Sequence, residues 1–257
     1  MRFVDLNSDM GEGFGPYTMG DDAAMLKIVT SANVACGFHA GDPIIMDRTV
    51  SMALANRVDV GAHPGFADLW GFGRRVIVGD SPKTIEKFVA YQLGALQAIA
   101  IAAGHKVTHF KAHGALGNLM FTNTEISEAV ANAVASVDKD LIFVIPPRTE
   151  GERVAERRGL RIAREIFADR AYTPEGHLVS RKLPGAVIHD KDECATRVVR
   201  MLEEQAVFDI EGNKFHVRID SVCVHGDTQD AVEVAAAVRS SIEAAGLALR
   251  PLSQHDL

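Results

Sequence analysis

The residues of this chain that could do chemistry fall into a few glycine-flanked clusters. The first is Asp5-Leu6-Asn7-Ser8-Asp9-Met10-Gly11-Glu12-Gly13-Phe14-Gly15, where a short strand beginning Arg2-Phe3-Val4 delivers carboxylates and an amide into a glycine-rich turn. Strands buried on both faces are dominated by apolar side chains, so Asp5, Asn7, Asp9 and Glu12 must be solvated, paired or chemically employed. Alone, this cluster reads as a solvated acidic turn with Asp9 or Glu12 capping a helix. Recurrence changes the reading. His39 follows a predicted strand in Gly37-Phe38-His39-Ala40-Gly41, and His63 ends another in Gly61-Ala62-His63-Pro64-Gly65. Lys111, His113 and Asn118 lie in Lys111-Ala112-His113-Gly114-Ala115-Leu116-Gly117-Asn118, Glu165 near the end of Ile162–Phe167, and His225 and Asp227 after Ser221–Val224.

Two chemistries suit this inventory. Asp9, His39, His63 and His113 could hold a divalent metal that activates water. Alternatively, Asp9, Glu12 and the histidines act as general acids and bases while Lys111 stabilises negative charge developing on a carbonyl or phosphoryl oxygen. The groups come from different strands and no His-x-x-x-His spacing fixes a metal, so both stay open. Arg74 and Arg75, in the glycine-rich loop after His63, are solvated or clamp a carboxylate or phosphate. Bland roles suit the rest: Asp42 before Pro43 and Asp227 read as helix caps, and Cys36 and Cys223 as small core residues on buried strands.

The elements that must position these groups alternate. Some seven or eight short strands are separated by helices, the clearest being Ser81 to Gly104 with apolar residues at Ile85, Phe88, Val89, Leu93 and Leu96. Helices are also expected over Ala23–Thr30, Ile44–Asn56, Glu125–Val137, Glu152–Arg158, Glu193–Gln205 and Gln229–Ala245. Residues 171–188 show neither periodicity and read as an excursion, and 207–219 as a β-hairpin turning at Gly212-Asn213. Such alternation implies a parallel sheet, which presents its carboxyl-end residues to one ligand site whether closed or open. Gly11, Gly13 and Gly15 lack the spacing of a dinucleotide fingerprint, so a closed barrel is the expectation.

Length and composition agree. At 257 residues the chain fits one β/α-barrel domain, residues 1–257, and 47% hydrophobic with 24% charged residues is the balance of a soluble globular protein. A net charge of −7 without a basic run excludes a nucleic-acid footprint. Cys36, Cys194 and Cys223 are too few and too scattered for a disulfide framework, which suits a reducing cytoplasm. No signal peptide and no membrane-length apolar run is expected.

Six segments together resemble a known family. Asp5 to Glu12, Ser31-Ala32-Asn33-Val34-Ala35-Cys36-Gly37-Phe38-His39-Ala40-Gly41-Asp42-Pro43, Gly61 to Gly65, Gly71-Phe72-Gly73-Arg74-Arg75, Phe167-Ala168-Asp169-Arg170-Ala171-Tyr172 and Val224-His225-Gly226-Asp227-Thr228 closely resemble the LamB/YcsF family, A subunits of bacterial 5-oxoprolinase. The resemblance implies a distorted seven-stranded β/α barrel of the glycoside hydrolase/deacetylase type. It also implies ATP-dependent opening of 5-oxo-L-proline or a related lactam to the amino acid, with B and C subunits as partners and self-association left open. Magnesium with the nucleotide, or a site-bound ion, would accompany it. In that chemistry Lys111, Arg74 and Arg75 face phosphate or substrate carboxylate, Asn7, Asn118, Glu165, His225 and Asp227 contribute to binding, and Asp9, Glu12, His39, His63 and His113 handle protons or a metal. No Walker-type phosphate loop is present. The chain departs from the family pattern at Ala112 and Gly117, where proline and tyrosine are usual, and at Ala67 and Trp70. A metal-dependent amidohydrolase or deacetylase acting without ATP, and a non-catalytic binding or regulatory subunit, are the competing readings.

Overall fold

The structure, a computed structural model, describes residues 3–227 and 230–257. Arg2, Thr228 and Gln229, which carried the expected starts of the first strand and last helix and the end of the last motif, lie outside the described residues. The chain opens with β1 (Phe3–Met10), a short α1 (Asp22–Met25), β2 (Ser31–Ala35), α2 (Pro43–Asn56) and β3 (Asp59–His63). After a long loop come α3 (Pro82–Ala102), β4 (Val107–Lys111), α4 (Gly114–Leu119), α5 (Thr124–Val137), β5 (Ile142–Ile145) and α6 (Glu150–Arg157). Next are β6 (Arg161–Phe167), α7 (Lys191–Glu204), the β7 (Ala206–Phe208) and β8 (Lys214–His216) hairpin, β9 (Ser221–Cys223), α8 (Ala231–Ala244) and β10 (Ala248–Leu249).

β1 to β6 pair in parallel in sequence order, β6 pairs with β9, and β9 pairs back onto β1 through Asp5↔Ser221 and Asn7↔Cys223. Closure makes a seven-stranded parallel barrel, the expected architecture. β10 pairs with Phe3 and Val4 at the N-terminal end of β1. Side chains alternate between the two faces of a strand, so each strand serves two environments. Outward residues such as Leu6, Val60, Phe110 and Phe143 join Leu93, Leu96, Val134 and Val238 of the helices in one apolar core. At the closed end Ile142, Val144 and Ala163 meet Leu252 inside the barrel.

Local signals set the helix starts. Asp42 accepts the Ile44 and Ile45 amides ahead of a first-turn proline, Ser81 caps α3 before Pro82, and Asn123, Thr149 and Asp190 cap α5, α6 and α7. Two expectations are corrected. The helix read over Ala23–Thr30 stops at Met25, because Thr30 is drawn into the barrel rim, its hydroxyl donating to Asp5 at 2.7 Å and accepting the Leu6 amide at 2.9 Å. The segment after Lys111, for which no helix is expected, forms α4, disguised by Gly114 and Gly117; a Cβ at 117 would lie 2.8 Å from the Ala112 carbonyl oxygen. No helix among the described residues is long and apolar enough to cross a membrane.

Candidate active site

Inward residues of β1, β2, β4, β6 and β9 build a polar floor inside the barrel. The Asn7 amide donates to Glu165 at 2.9 Å and Ser221 at 2.7 Å, and the Asn33 amide donates to Asn7 at 2.7 Å and Asp9 at 2.9 Å. His109 Nε2 donates to the Asn33 carbonyl oxygen at 3.0 Å, and burial pushes its imidazole down to about 3, so it is a neutral strut. That ring occupies the space a side chain at Gly61 would need, since a Cβ there would lie 2.1 Å from it. Lys111 ends β4 above this layer, its ammonium 3.0 Å from both Asp9 and Glu165 and 3.1 Å from the Cys223 sulfur. Burial alone would discharge the amine, but Asp9, Cys223 and Glu165 hold it well above the usual lysine range. Burial likewise opposes Asp9, yet His63 and Lys111 beside it keep its carboxyl well below the usual range. The pair is fixed as ammonium and carboxylate.

A histidine wall rises from β3 and the loops after β1, β2 and β4. His63 Nδ1 donates to the Lys111 carbonyl at 2.9 Å and His113 Nε2 to the Phe72 carbonyl at 2.8 Å. Carbonyls only accept, so the ring protons sit at those nitrogens and the other two, His63 Nε2 and His113 Nδ1, face each other at 3.0 Å. Two imidazole lone pairs at that separation require a proton or a cation between them. His39 stacks on His113 with ring centroids 3.6 Å apart, and neither of its nitrogens has a hydrogen-bond partner among the described residues. Glu12 Oε1, also unpartnered, lies 3.5 Å from His39 Nε2 and 3.7 Å from His113 Nδ1. Burial, then Asp9, lifts the Glu12 carboxyl well above its usual range, while burial and neighbouring imidazoles push His39 well down and burial pushes His113 down to about 3. Gly73, at φ +63°, permits this packing, because a Cβ there would sit 2.7 Å from both His113 and His39.

The third side is formed after β6 and β9. Asp169 holds His225 Nδ1 at 2.8 Å, and the imidazole stacks on Phe167. Arg74 pairs with Asp227 at 2.5 Å. A cavity of about 610 Å³ opens between these walls under a strap, residues 171–188, held by the bridges Arg170↔Val187, just after β6, and Tyr172↔Leu178, within the strap itself.

The structure therefore brings Asp9, Glu12, His63, Arg74, Lys111, His113, Asn118, Glu165, His225 and Asp227 to one cavity, with His39 packed behind His113 and Asn7 beneath Lys111. Arg75 is not brought there: it pairs with Asp68 beside the loop's short 3₁₀ turn, and its side chain is 62% exposed. Asp227 is not the cap of α8, which begins after Asp230. Cys223, read as a small core residue, contacts the catalytic candidate Lys111. The parity of β9 carried that signal, since Ser221 and Cys223 face the same way, toward the floor. Asn33, His109, Asp169 and Arg170 also went unassigned, the first two because polar residues on strands give no clue to their partners.

A profile of the LamB/YcsF family matches residues 4–256. The chain belongs to the LamB/YcsF family. It is 55% identical over 252 residues to the A subunit of 5-oxoprolinase from Gluconobacter oxydans, covering 98% of this chain and 99% of that one. It superposes on a lactam utilization protein from Thermus thermophilus with a TM-score of 0.92 at 43% identity, covering 97% and 100% of the two chains. A peptidoglycan N-acetylglucosamine deacetylase from Eubacterium rectale shares the fold, at a TM-score of 0.51 and 11% identity over 98% of this chain and 89% of that one.

The unpartnered buried atoms of Glu12 and His39 raise the question whether the site suits a metal. It does: Glu12, His39, His63 and His113 each offer a ligand atom within 4.8 Å of the others, and the unpartnered Glu12 oxygen and His39 nitrogens are the atoms such an ion would satisfy.

Proposed function

We propose that this chain is the A subunit of an ATP-dependent 5-oxoprolinase, opening the five-membered lactam 5-oxo-L-proline to L-glutamate together with B and C subunits. The observation that carries the reading is Lys111, held charged between Asp9 and Glu165 and facing the same cavity as Glu12, His113 and the Asp169-oriented His225. The names of the similar proteins, lactam utilization protein and 5-oxoprolinase A subunit, support the substrate class.

The geometry suits amide opening. A lactam carbonyl beside the Lys111 ammonium has its developing negative charge met by a preorganised cation in a site shielded from water. Glu12, whose carboxyl burial and then Asp9 lift well above the usual range, is placed to deliver a proton to the departing ring nitrogen. His225, oriented through Nδ1 by Asp169, presents Nε2 as acceptor for a proton from attacking water. The amide still needs activation: phosphorylation of its oxygen by ATP makes the carbon electrophilic. Water adds there, the protonated ring nitrogen leaves to give the acyl phosphate, and a second water hydrolyses that to glutamate and phosphate. In the metal-dependent alternative Glu12 would instead be an ionised ligand, with His39, His63 and His113, of a divalent ion that would polarise a carbonyl or acidify water.

Glutamate release from 5-oxo-L-proline, measured with and without ATP, tests the proposal on this chain alone and with the B and C subunits. Release is expected only from the three subunits together with ATP. Robust turnover by this chain without nucleotide would overturn it. That result would favour the second reading, a metal-dependent amidohydrolase, which the unpartnered nitrogens of His39 motivate. Its mark is a stoichiometric divalent ion in the purified protein and loss of turnover on chelation.

A further inference from the structure

The cations expected to meet an anionic group are committed elsewhere: Lys111 to Asp9 and Glu165, Arg74 to Asp227, and Arg75 to Asp68. A different guanidinium is uncommitted. Arg170 is 6% exposed, lines the cavity and anchors the strap, its Nε donating to the Ala186 carbonyl at 3.2 Å and an Nη to the Val179 carbonyl at 2.6 Å. Among the described residues it forms no ion pair, and its sequence neighbour Asp169 is engaged by His225. The charges nearest it include like ones. Burial and then Arg181 push the Arg170 guanidinium down to about 10, Asp169 offsets this only in part, and Arg74 adds to it. Arg181 and Lys182 line the same cavity from the strap.

A buried cation with no carboxylate in ion-pair contact, and with Arg181 and Lys182 lining the same cavity, gains when an anion joins it. A planar guanidinium with a free edge matches a carboxylate. We propose that Arg170, assisted by Arg181 and Lys182, is the subsite for the substrate's carboxylate, resting on the lactam-opening reading for the ring that bears it. Selectivity then follows from charge: the cavity prefers a lactam carrying a carboxylate over the bare ring.

Titration calorimetry on the full chain tests this with four probes: 5-oxo-L-proline, the bare lactam pyrrolidinone, cyclopentanecarboxylate and inorganic phosphate. 5-Oxo-L-proline is expected to bind about tenfold or more tighter than pyrrolidinone, as a charge-assisted contact implies. Arg170→Met and Arg181→Gln should each narrow that gap and leave pyrrolidinone binding unchanged. Arg170 also holds the strap, so Arg181→Gln carries the test if Arg170→Met folds poorly. Equal binding of the two lactams, a gap that survives both substitutions, or failure of both carboxylates to bind overturns the proposal. Phosphate binding tighter than either carboxylate also overturns it, assigning the subsite to a phosphoryl group. Arg170-dependent binding of cyclopentanecarboxylate with no binding of either lactam would uphold the carboxylate subsite and reject the lactam-opening reading.

Discussion

On the outer face of the barrel wall, Leu6, Val60, Phe110 and Phe143 pack against apolar residues of the helices, whereas the inner face of the same strands holds Asp5, Asn7, Asn33, His109, Lys111 and Glu165. Both sets are buried. The outer face gains from area removed from water and asks only for fit, while every inner group must find a partner or pay for desolvation. One strand, β1, shows the contrast residue by residue: Leu6 and Met10 are core, and Asp5, Asn7 and Asp9 between and around them are fully engaged by hydrogen bonds. Burial stabilises on one side of the wall and stores chemistry on the other.

The largest effect should come from breaking the inner pair. Lys111→Met leaves Asp9 and Glu165 buried without their cation and should lower stability by about 3–5 kcal/mol, with activity lost. Adding Glu165→Gln should return part of that stability without returning activity, and a double-mutant cycle in urea measures the recovery. If Lys111→Met were neutral in stability, the inner face would not be the high-stakes region described.

Leu96→Ala probes the outer face. It should cost about 2–5 kcal/mol through the cavity it leaves, with turnover per folded molecule unchanged. Denaturation midpoints together with specific activity check both halves; loss of specific activity in the folded variant would blur the division between the faces.

Asp5 sharpens the comparison through pH. Burial lifts its carboxyl from 3.8 to about 7, although hydroxyls of Ser221, Ser31 and Thr30 donate to it. The folded state therefore holds the proton more tightly than the unfolded chain. Its contribution is fully present below pH 3.8 and is lost as pH rises to about 7, an effect of order 4 kcal/mol at most. Asp5→Asn should remove this loss, raising the melting temperature at pH 8 relative to wild type more than at pH 5. A pH-independent difference would place the burden elsewhere.

The smallest effect belongs to the surface. Asp42 accepts the Ile44, Ile45 and Gly15 amides at the start of α2, so Asp42→Ala should cost about 1 kcal/mol and leave activity intact. Loss of activity at unchanged stability would move Asp42 into the site.

These contrasts also explain what could be read before the fold. Alternating strands and helices, Asp-Pro and Ser-Pro helix starts, and polar residues clustered at strand ends are local signals, and they located the barrel and its mouth. Partner choice is not local. Nothing near Arg75 in the sequence distinguishes it from Arg74, yet Asp68 in its own loop captures one while Asp227, far along the chain, pairs with the other. Arg170 was hidden for the same reason, because its lack of a carboxylate partner is a fact about the folded cavity. Cys223 and His109 were masked by residue type, one resembling a core filler and the other an ordinary strand residue.

The central claim is that this chain's own cavity carries out chemistry, and replacing a proposed proton-transfer group in the proposed three-subunit assembly tests it most directly. Replacing the base, His225→Asn, should cut glutamate release at saturating 5-oxo-L-proline and ATP by about a hundredfold or more, the scale of a lost acid–base group, with the variant still folded and assembled. Release at the wild-type rate would contradict the account and leave this chain a binding or regulatory subunit.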